Sequence, residues 1–192
     1  QLDWAQGLRP TRRLVRLDGI AGLGGIDIGP DGIRIGALTT LAALERHAFV
    51  AETLPLLLAA VKATAGPSIR NLGTIGGNIA GRRGCLIPAL LVLDARLDVA
   101  RTGVRQRVPL VDWLAAPREP DCIVEAVFVP ASPAPVRWTY RKVGLRAALT
   151  PAVVDVAARL IASEGRITAC RIAVGGGPVA PARLHEVEAW LA

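Results

Sequence analysis

The chain is poor in the residues that usually carry self-contained chemistry. It has two histidines, three cysteines, one tyrosine, two phenylalanines and four tryptophans among 192 residues. His47 and His185 stand far apart, and metal sites need clustered ligands. Cys85, Cys122 and Cys170 form no C-x-x-C and no disulfide framework. They are also too few for an iron–sulfur cluster, which takes about four thiolates. There is no G-x-x-x-x-G-K-[ST] and no G-x-S-x-G, so the P-loop and nucleophile-elbow readings fail. No glycine triplet follows a strand with dinucleotide spacing, which leaves a Rossmann site unsupported. No acidic pair suggests acid–base work, and no apolar run reaches the roughly 18 residues of a membrane span. Any chemistry is therefore expected to come from a bound cofactor.

Aromatic residues make up only 4% of a chain that is 52% hydrophobic, so the core must be built from Ala, Val, Leu and Ile. The length allows one or two domains. Lysine is nearly absent. Only Lys62 and Lys142 occur, and arginine supplies the rest of a net charge of +7. The arginines are scattered and do not alternate with aromatics, so a nucleic-acid footprint is not expected. The sequence starts on Gln1 with no charged region followed by an apolar one. No secretion signal is expected, and the scattered thiols suit a reducing cytoplasm.

Glycine is what the chain has in a telling place. The stretch 65–80, AGPSIRNLGTIGGNIA, carries glycines at 66, 73, 76 and 77. Bare backbone can approach a ligand closely, and successive N–H groups of such a turn can form a nest for phosphate. Asn78 adds an amide that donates and accepts. The alternative is a turn that merely reverses the chain.

In chain order, residues 15–18 alternate as a short strand would. Ile26–Gly29 and Gly32–Gly36 flank Pro30-Asp31-Gly32 as a hairpin. Thr39 or Thr40 is placed to cap a helix. Residues 51–64 read as one helical segment with Leu54, Leu57, Leu58 and Val61 on one face and Pro55 near its start. Leu86 to Leu93 suits a buried helix. Arg96 to Val99 and Gln106 to Val111 read as a strand pair around Thr102-Gly103, followed by a short turn or helix at 111–114. Ile123 to Pro130 is a strand stopped by proline, and 131–135 is a linker candidate. Residues 136–142 then read as a strand, 151–163 as a helix with Val153, Val156, Ala157 and Leu160 on one face, and 166–174 as a strand. Gly175-Gly176-Gly177 follow, and a last helix begins near Arg183.

The run NLGTIGGNI at 71–79 resembles the flavin-binding loop of the molybdenum hydroxylase family, in its FAD-binding (medium) subunits of xanthine dehydrogenase and carbon monoxide dehydrogenase type. Ile33 to Leu41, Pro88 to Ala95, Ile123 to Pro130, Tyr140 to Arg146 and Val174 to Arg183 are similar to family segments in the same order. The resemblance implies an α+β fold. A mixed-sheet FAD-binding lobe over 1–132, like the second subdomain of vanillyl-alcohol-oxidase/PCMH-type flavoproteins, would be followed by a smaller α/β lobe over 133–192. It implies FAD as cofactor, with Gly36 and Ala37 close to it and Ala65 and Ile69 on the adenine–diphosphate side. Gly73, Thr74, Gly76, Gly77, Asn78 and Ile79 would hold the diphosphate and ribityl region. Val124 would lie near the isoalloxazine ring, and Lys142 at the ring, where a cation stabilises the anionic reduced form. Arg146 is expected to be structural.

The implied activity is that of an electron-transfer subunit within an oxidoreductase complex. Electrons would arrive from the [2Fe–2S] clusters of a small subunit, after a molybdopterin large subunit has oxidised substrate. They would leave to NAD+, a quinone or O2. Two departures from the family are visible. An upstream Gly-Gly-Thr loop and the last C-terminal helices are missing, so both ends are expected to be truncated. Cys85 also stands near where the family has the aspartate of a Ser-Pro-x-x-Asp segment, and Arg82 and Arg83 beside it would meet phosphate or a partner subunit. These departures keep open the reading of a flavin-free scaffold subunit of such a complex. A flavoenzyme of the same fold with its own substrate site is disfavoured, because no acid, base or nucleophile cluster appears.

Overall fold

The computed structural model describes residues 15–132, 137–146, 150–163 and 166–191. Two sheets organise them. The first takes β1 (Ile26–Gly29), β2 (Gly32–Gly36), β3 (Arg96–Arg101), β4 (Val104–Pro109) and β5 (Ile123–Pro130), in the order β1-β2-β5-β3-β4. The second is a meander of β6 (Arg137–Gly144), β7 (Ala152–Ser163), β8 (Arg166–Gly176) and β9 (Val179–Arg183). Every strand pairing in both sheets is antiparallel. The α+β class therefore holds, but the first sheet is antiparallel where a mixed sheet was expected.

Between β2 and β3 the chain forms six helices: α1 (Leu41–Arg46), α2 (Ala48–Thr53), α3 (Pro55–Ala63), α4 (Pro67–Leu72), α5 (Ile75–Ala80) and α6 (Ile87–Val92). Two more are α7 (Leu110–Ala115) and α8 (His185–Leu191). Thr40 caps α1, its Oγ1 accepting the Ala43 N–H at 3.1 Å. The single helix expected over 51–64 is two. Leu54 leaves helical geometry (φ −124°, ψ 50°), and Pro55 takes the first turn of α3. Proline has no N–H to continue a helix and disfavours the α conformation in the residue before it.

All six side chains of α6 are buried. This helix packs against β7, β8, β9 and α3, and so joins the two sheets into one core. The second sheet meets it with small residues, Ala157 and Ala173, both fully buried.

Two expectations for the chain path are corrected. Residues 15–17 have no regular structure and 18–19 are a turn; 10–14 lie outside the described residues. Residues 151–163 are not helical. Ala152–Ser163 is β7, paired with β6 on one edge and β8 on the other. Its i, i+3, i+4, i+7 apolar pattern is accidental, because both faces of this central strand are covered and the period of two is masked by apolar residues on each. Burial exposes the true period: Asp155, Ala157 and Arg159 are buried, while Val154, Val156, Ala158 and Leu160 on the other face are half-buried. The smaller lobe is accordingly a sheet with one helix among its described residues.

Candidate functional site

The site grows from the α4–α5 turn. Thr74 (φ −111°, ψ 158°) caps α5, and its Oγ1 accepts the Gly77 N–H at 3.1 Å. The turn is stitched to the segment that links β2 to α1. Gly76 N–H donates to Ala37 O at 2.8 Å, Ile75 N–H to Thr39 O at 3.0 Å, and Leu41 N–H to Gly73 O at 2.9 Å. Ala37 N–H in turn donates to Glu125 O at 2.9 Å, which ties in β5 beside Val124.

This pattern corrects the expectation of an open nest. Gly73 N–H donates to Ile69 O and Asn78 N–H to Thr74 O. With Ile75, Gly76 and Gly77, five of the six backbone donors from Gly73 to Asn78, all but Thr74, are engaged within the protein. A nest needs left-handed residues in its turn, and none of 73–78 has a positive φ. The segment is a capped helical turn instead.

What stays open, besides the Thr74 N–H, is made of side chains and one bare Cα. Thr74 Oγ accepts from Gly77, and its own proton makes no hydrogen bond among the described residues. Asn78 Oδ1 accepts the Leu86 N–H at 3.1 Å, which orients the amide and leaves its NH2 without an acceptor there. Gly77 is exposed, and a Cβ on it would meet only Thr74 Oγ1, at 3.1 Å. Ile69 and Leu72 stand beside the turn with large exposed apolar side chains.

Lys142 brings the second sheet to this region. Its Nζ donates to Ala63 O, at the end of α3, at 3.1 Å. The chain then passes Ala65, held at φ 50°, into α4. Arg70, absent from the sequence expectations, fastens this bend. It donates to Thr64 O at 3.2 Å and Ala65 O at 2.7 Å, and pairs with Glu45 at 2.9 Å.

Around Lys142 lies a buried polar cluster. Asp155 is opposite Lys142 across β6 and β7. It is fully buried, with no hydrogen-bond donor on either carboxylate oxygen. Burial pushes its carboxyl above the ordinary range, against the pull of Cys85, Tyr140 and Lys142. Tyr140 donates to the Cys85 carbonyl at 2.9 Å. Burial, reinforced by Asp155, raises the Cys85 thiol to about 11, so it stays protonated at neutral pH. Sequence reasoning missed Asp155 because the residue was assigned to a helix. A lone charge between valines in a strand would have been the signal.

The expected residues therefore separate into groups. Gly36, Ala37, Gly73, Thr74, Gly76 and Gly77 lie along one hydrogen-bonded seam, with Asn78 and Ile69 on the same two short helices. Ala65 and Lys142 join it through the end of α3. Val124 lies half-buried on β5, opposite Val99. Ile79 has a fully buried core side chain, so any contact it makes with a ligand runs through its backbone. Arg82 does not point at a phosphate site. Its guanidinium donates to Ala116 O and Pro117 O and stacks 4.4 Å over the Trp113 ring. Arg83 donates to Gly177 O at 3.2 Å, linking the two lobes.

The profile of the FAD-binding domain in molybdopterin dehydrogenase matches residues 1–132, so the chain belongs to that family. It is 32% identical over 186 residues to the xanthine dehydrogenase FAD-binding subunit of Escherichia coli O157:H7, an alignment covering 92% of this chain and 63% of that protein. It is 30% identical over 169 residues to the nicotine 6-hydroxylase medium subunit of Paenarthrobacter nicotinovorans, covering 85% and 59%. A carbon monoxide dehydrogenase structure from Hydrogenophaga pseudoflava superposes with a TM-score of 0.84 at 28% identity, over 91% of this chain and 63% of that one. Quinoline 2-oxidoreductase from Pseudomonas putida 86 shares the fold, with a TM-score of 0.89 over 100% of this chain and 68% of its own at 24% identity. The chain thus spans a little under two thirds of the length of these two curated relatives.

Proposed function

We propose that this chain is the FAD-carrying part of an electron-transfer subunit in a molybdopterin-dependent dehydrogenase or hydroxylase. Its partners in this reading are an iron–sulfur small subunit with [2Fe–2S] clusters and a molybdopterin large subunit. The electron acceptor is NAD+, a quinone or O2, and the setting is cytoplasmic. Residues 1–132 form the FAD-binding domain in this reading, and 133–192 open the next one. Among the described residues no helix is long and apolar enough to cross a membrane.

The observation that carries the reading is the open face of the Thr74–Asn78 turn. A free hydroxyl, an oriented amide NH2 and a bare glycine surface adjoin one another there, flanked by exposed Ile69 and Leu72. Neutral donors beside an apolar shelf suit a dinucleotide, whose diphosphate accepts hydrogen bonds and whose ring systems bury apolar faces. Thr74 and Asn78 would donate to the diphosphate and ribityl oxygens, and Gly77 would let that chain lie close. Gly36, Ala37, Gly73 and Gly76 form the floor that keeps the turn in place, with Ile79 anchoring α5 in the core. Ala65 and Val124 would form flanking walls. Lys142, tethered at Ala63 O, holds a positive charge on the same wall and favours an anionic ligand. Bound FAD supplies reversible two-electron chemistry, and the chain's own part is to bind, orient and electrostatically bias it.

A flavin-free scaffold subunit is the second reading, favoured by the engaged N–H groups of the turn and by the Cys85 thiol. Full-length protein purified from its native complex decides between them. Yellow colour with flavin absorbance bands, released as FAD on denaturation, is expected. Colourless protein that gives no heat on mixing with FAD would sink the first reading and leave the second.

A further inference from the structure

A cavity of about 700 Å³ opens between the two sheets, lined on one side by the end of β5 and by α2 and α3, and on the other by β6, β7 and β8. It is distinct from the glycine turn. Trp138 and Arg159 mark it, and Asp155 and Lys142 lie four residues further along the same two strands. Most of the lining is apolar, including Phe49, Leu54 and Ile161.

Three groups form a row across its second wall. Trp138 is opposite Arg159, and Arg159 is opposite Arg171. Directly opposed residues in antiparallel strands share a face of the sheet. Arg171 is paired with Asp94 at 2.7 Å, and Asp94 also faces Arg183 at 3.6 Å. Arg183 has Glu188 as a further partner. Arg159 has nothing comparable. It is 7% exposed and, among the described residues, makes no hydrogen bond, ion pair or ring contact, although the Asp94 charge attracts it. The Arg171 Nε is buried without an acceptor, whereas the Arg159 guanidinium opens to the cavity. The other carboxylate lining the cavity, Glu52, is on an exposed residue.

A guanidinium that lines a cavity without a hydrogen-bond acceptor from the protein is left to water, and an anion that enters beside it gains charge-assisted hydrogen bonds. Burial and the neighbouring Arg171 push its pKa down against the pull of Asp94, yet an arginine remains charged. Its planar fork matches a carboxylate through two parallel hydrogen bonds. The tryptophan beside it and the apolar walls suit a flat ring. We propose that this cavity binds a small aromatic carboxylate, with Arg159 as the anion-binding residue and Trp138 beside the ring.

The inference is independent of the flavin reading. Its test is calorimetric titration of full-length protein with benzoate, inorganic phosphate and benzyl alcohol, together with FAD content. Benzoate is expected to bind one site, with phosphate (charge without a ring) and benzyl alcohol (ring without a charge) each at least tenfold weaker. Arg159→Gln is expected to weaken benzoate at least tenfold and leave FAD content unchanged. Should that variant fail to fold by circular dichroism, Arg159→Lys keeps the charge and loses the fork, and is expected to weaken benzoate several-fold. The proposal is overturned if benzoate gives no saturable heat up to about 10 mM, an affinity too weak to matter. It is equally overturned if phosphate binds as tightly as benzoate, or if the folded variant binds benzoate as the wild type does.

Discussion

The chain has two glycine runs, and they exist for different reasons. In Gly175-Gly176-Gly177 the backbone itself demands glycine. Gly176 and Gly177 have φ of 90° and 55°, and an added Cβ would stand 2.8 Å from the Asp155 Oδ2 and 2.6 Å from the Ala152 carbonyl, respectively. In the α4–α5 turn no glycine needs a positive φ. Gly76 is there because α5 sits on the β2–α1 link, where a Cβ would meet the Ala37 Cβ at 2.6 Å. Gly77 has no such neighbour. Of the glycines in these two runs, Gly77 is the exposed residue whose missing side chain the protein's own packing does not explain. The lesson is that the glycines of one signature are there for different reasons, and only the surroundings of each Cα separate them.

Substitutions that break or sharpen this contrast follow in order of expected cost to the fold. Gly176→Val should be the most damaging. It combines a left-handed backbone with a clash against a buried carboxylate, and a loss of about 3 kcal/mol or more is expected in urea unfolding. Gly76→Ala forces α5 off the Ala37 link and should cost about 1–3 kcal/mol by overpacking. If Gly76→Ala were neutral, the close seating of the turn would be wrong.

Asp155, the neighbour of Gly176, adds a pH signature. Its carboxyl is raised by burial, so the folded state keeps the proton where the unfolded chain has released it. The unfolded state then binds fewer protons, and stability falls as pH rises. That loss begins at the ordinary carboxylate pKa of about 3.9 and continues up to the raised folded value. Asp155→Asn should remove this slope and, above the window, gain about 1 kcal/mol by relieving a buried unsatisfied charge. Equal pH dependence in the two proteins would show that Asp155 is not the group that titrates.

Gly77→Val should change stability least, within about 1 kcal/mol, since Gly77 is exposed and an added Cβ would press only on the capping Thr74 Oγ1, at 3.1 Å. It should nevertheless strip FAD from the purified protein. A Gly77→Val variant that keeps a full complement of FAD would remove Gly77 from the site and make the two glycine runs alike.

Local signals were legible. The Pro-Asp-Gly hairpin, the Thr40 cap, the buried helix after the glycine turn, the β3–β4 pair and the β5 strand all appear where their residues suggest. Each depends on neighbours within a few positions. Failures occurred where both faces of an element are covered, as in β7, or where a proline divides an apolar face, as at Leu54. Missed residues were those whose meaning is a distant neighbour: Arg70 holding the Ala65 bend, Asp155 beside Cys85, and Arg159 in the cavity between the sheets, near Arg171 and Asp94.

The amino-acid order alone determined the class of protein, the place of the glycine turn, the antiparallel hairpin and the absence of a metal or nucleophile motif, because these rest on residue type and short spacing. Tertiary structure decided which donors of the turn are free, which glycine faces outward, that 152–163 is a strand, and that a guanidinium lines a cavity with no hydrogen-bond partner among the described residues. Those properties belong to pairs of groups far apart in the chain. Burial and hydrogen-bond partnership come into being only when the two sheets close on α6.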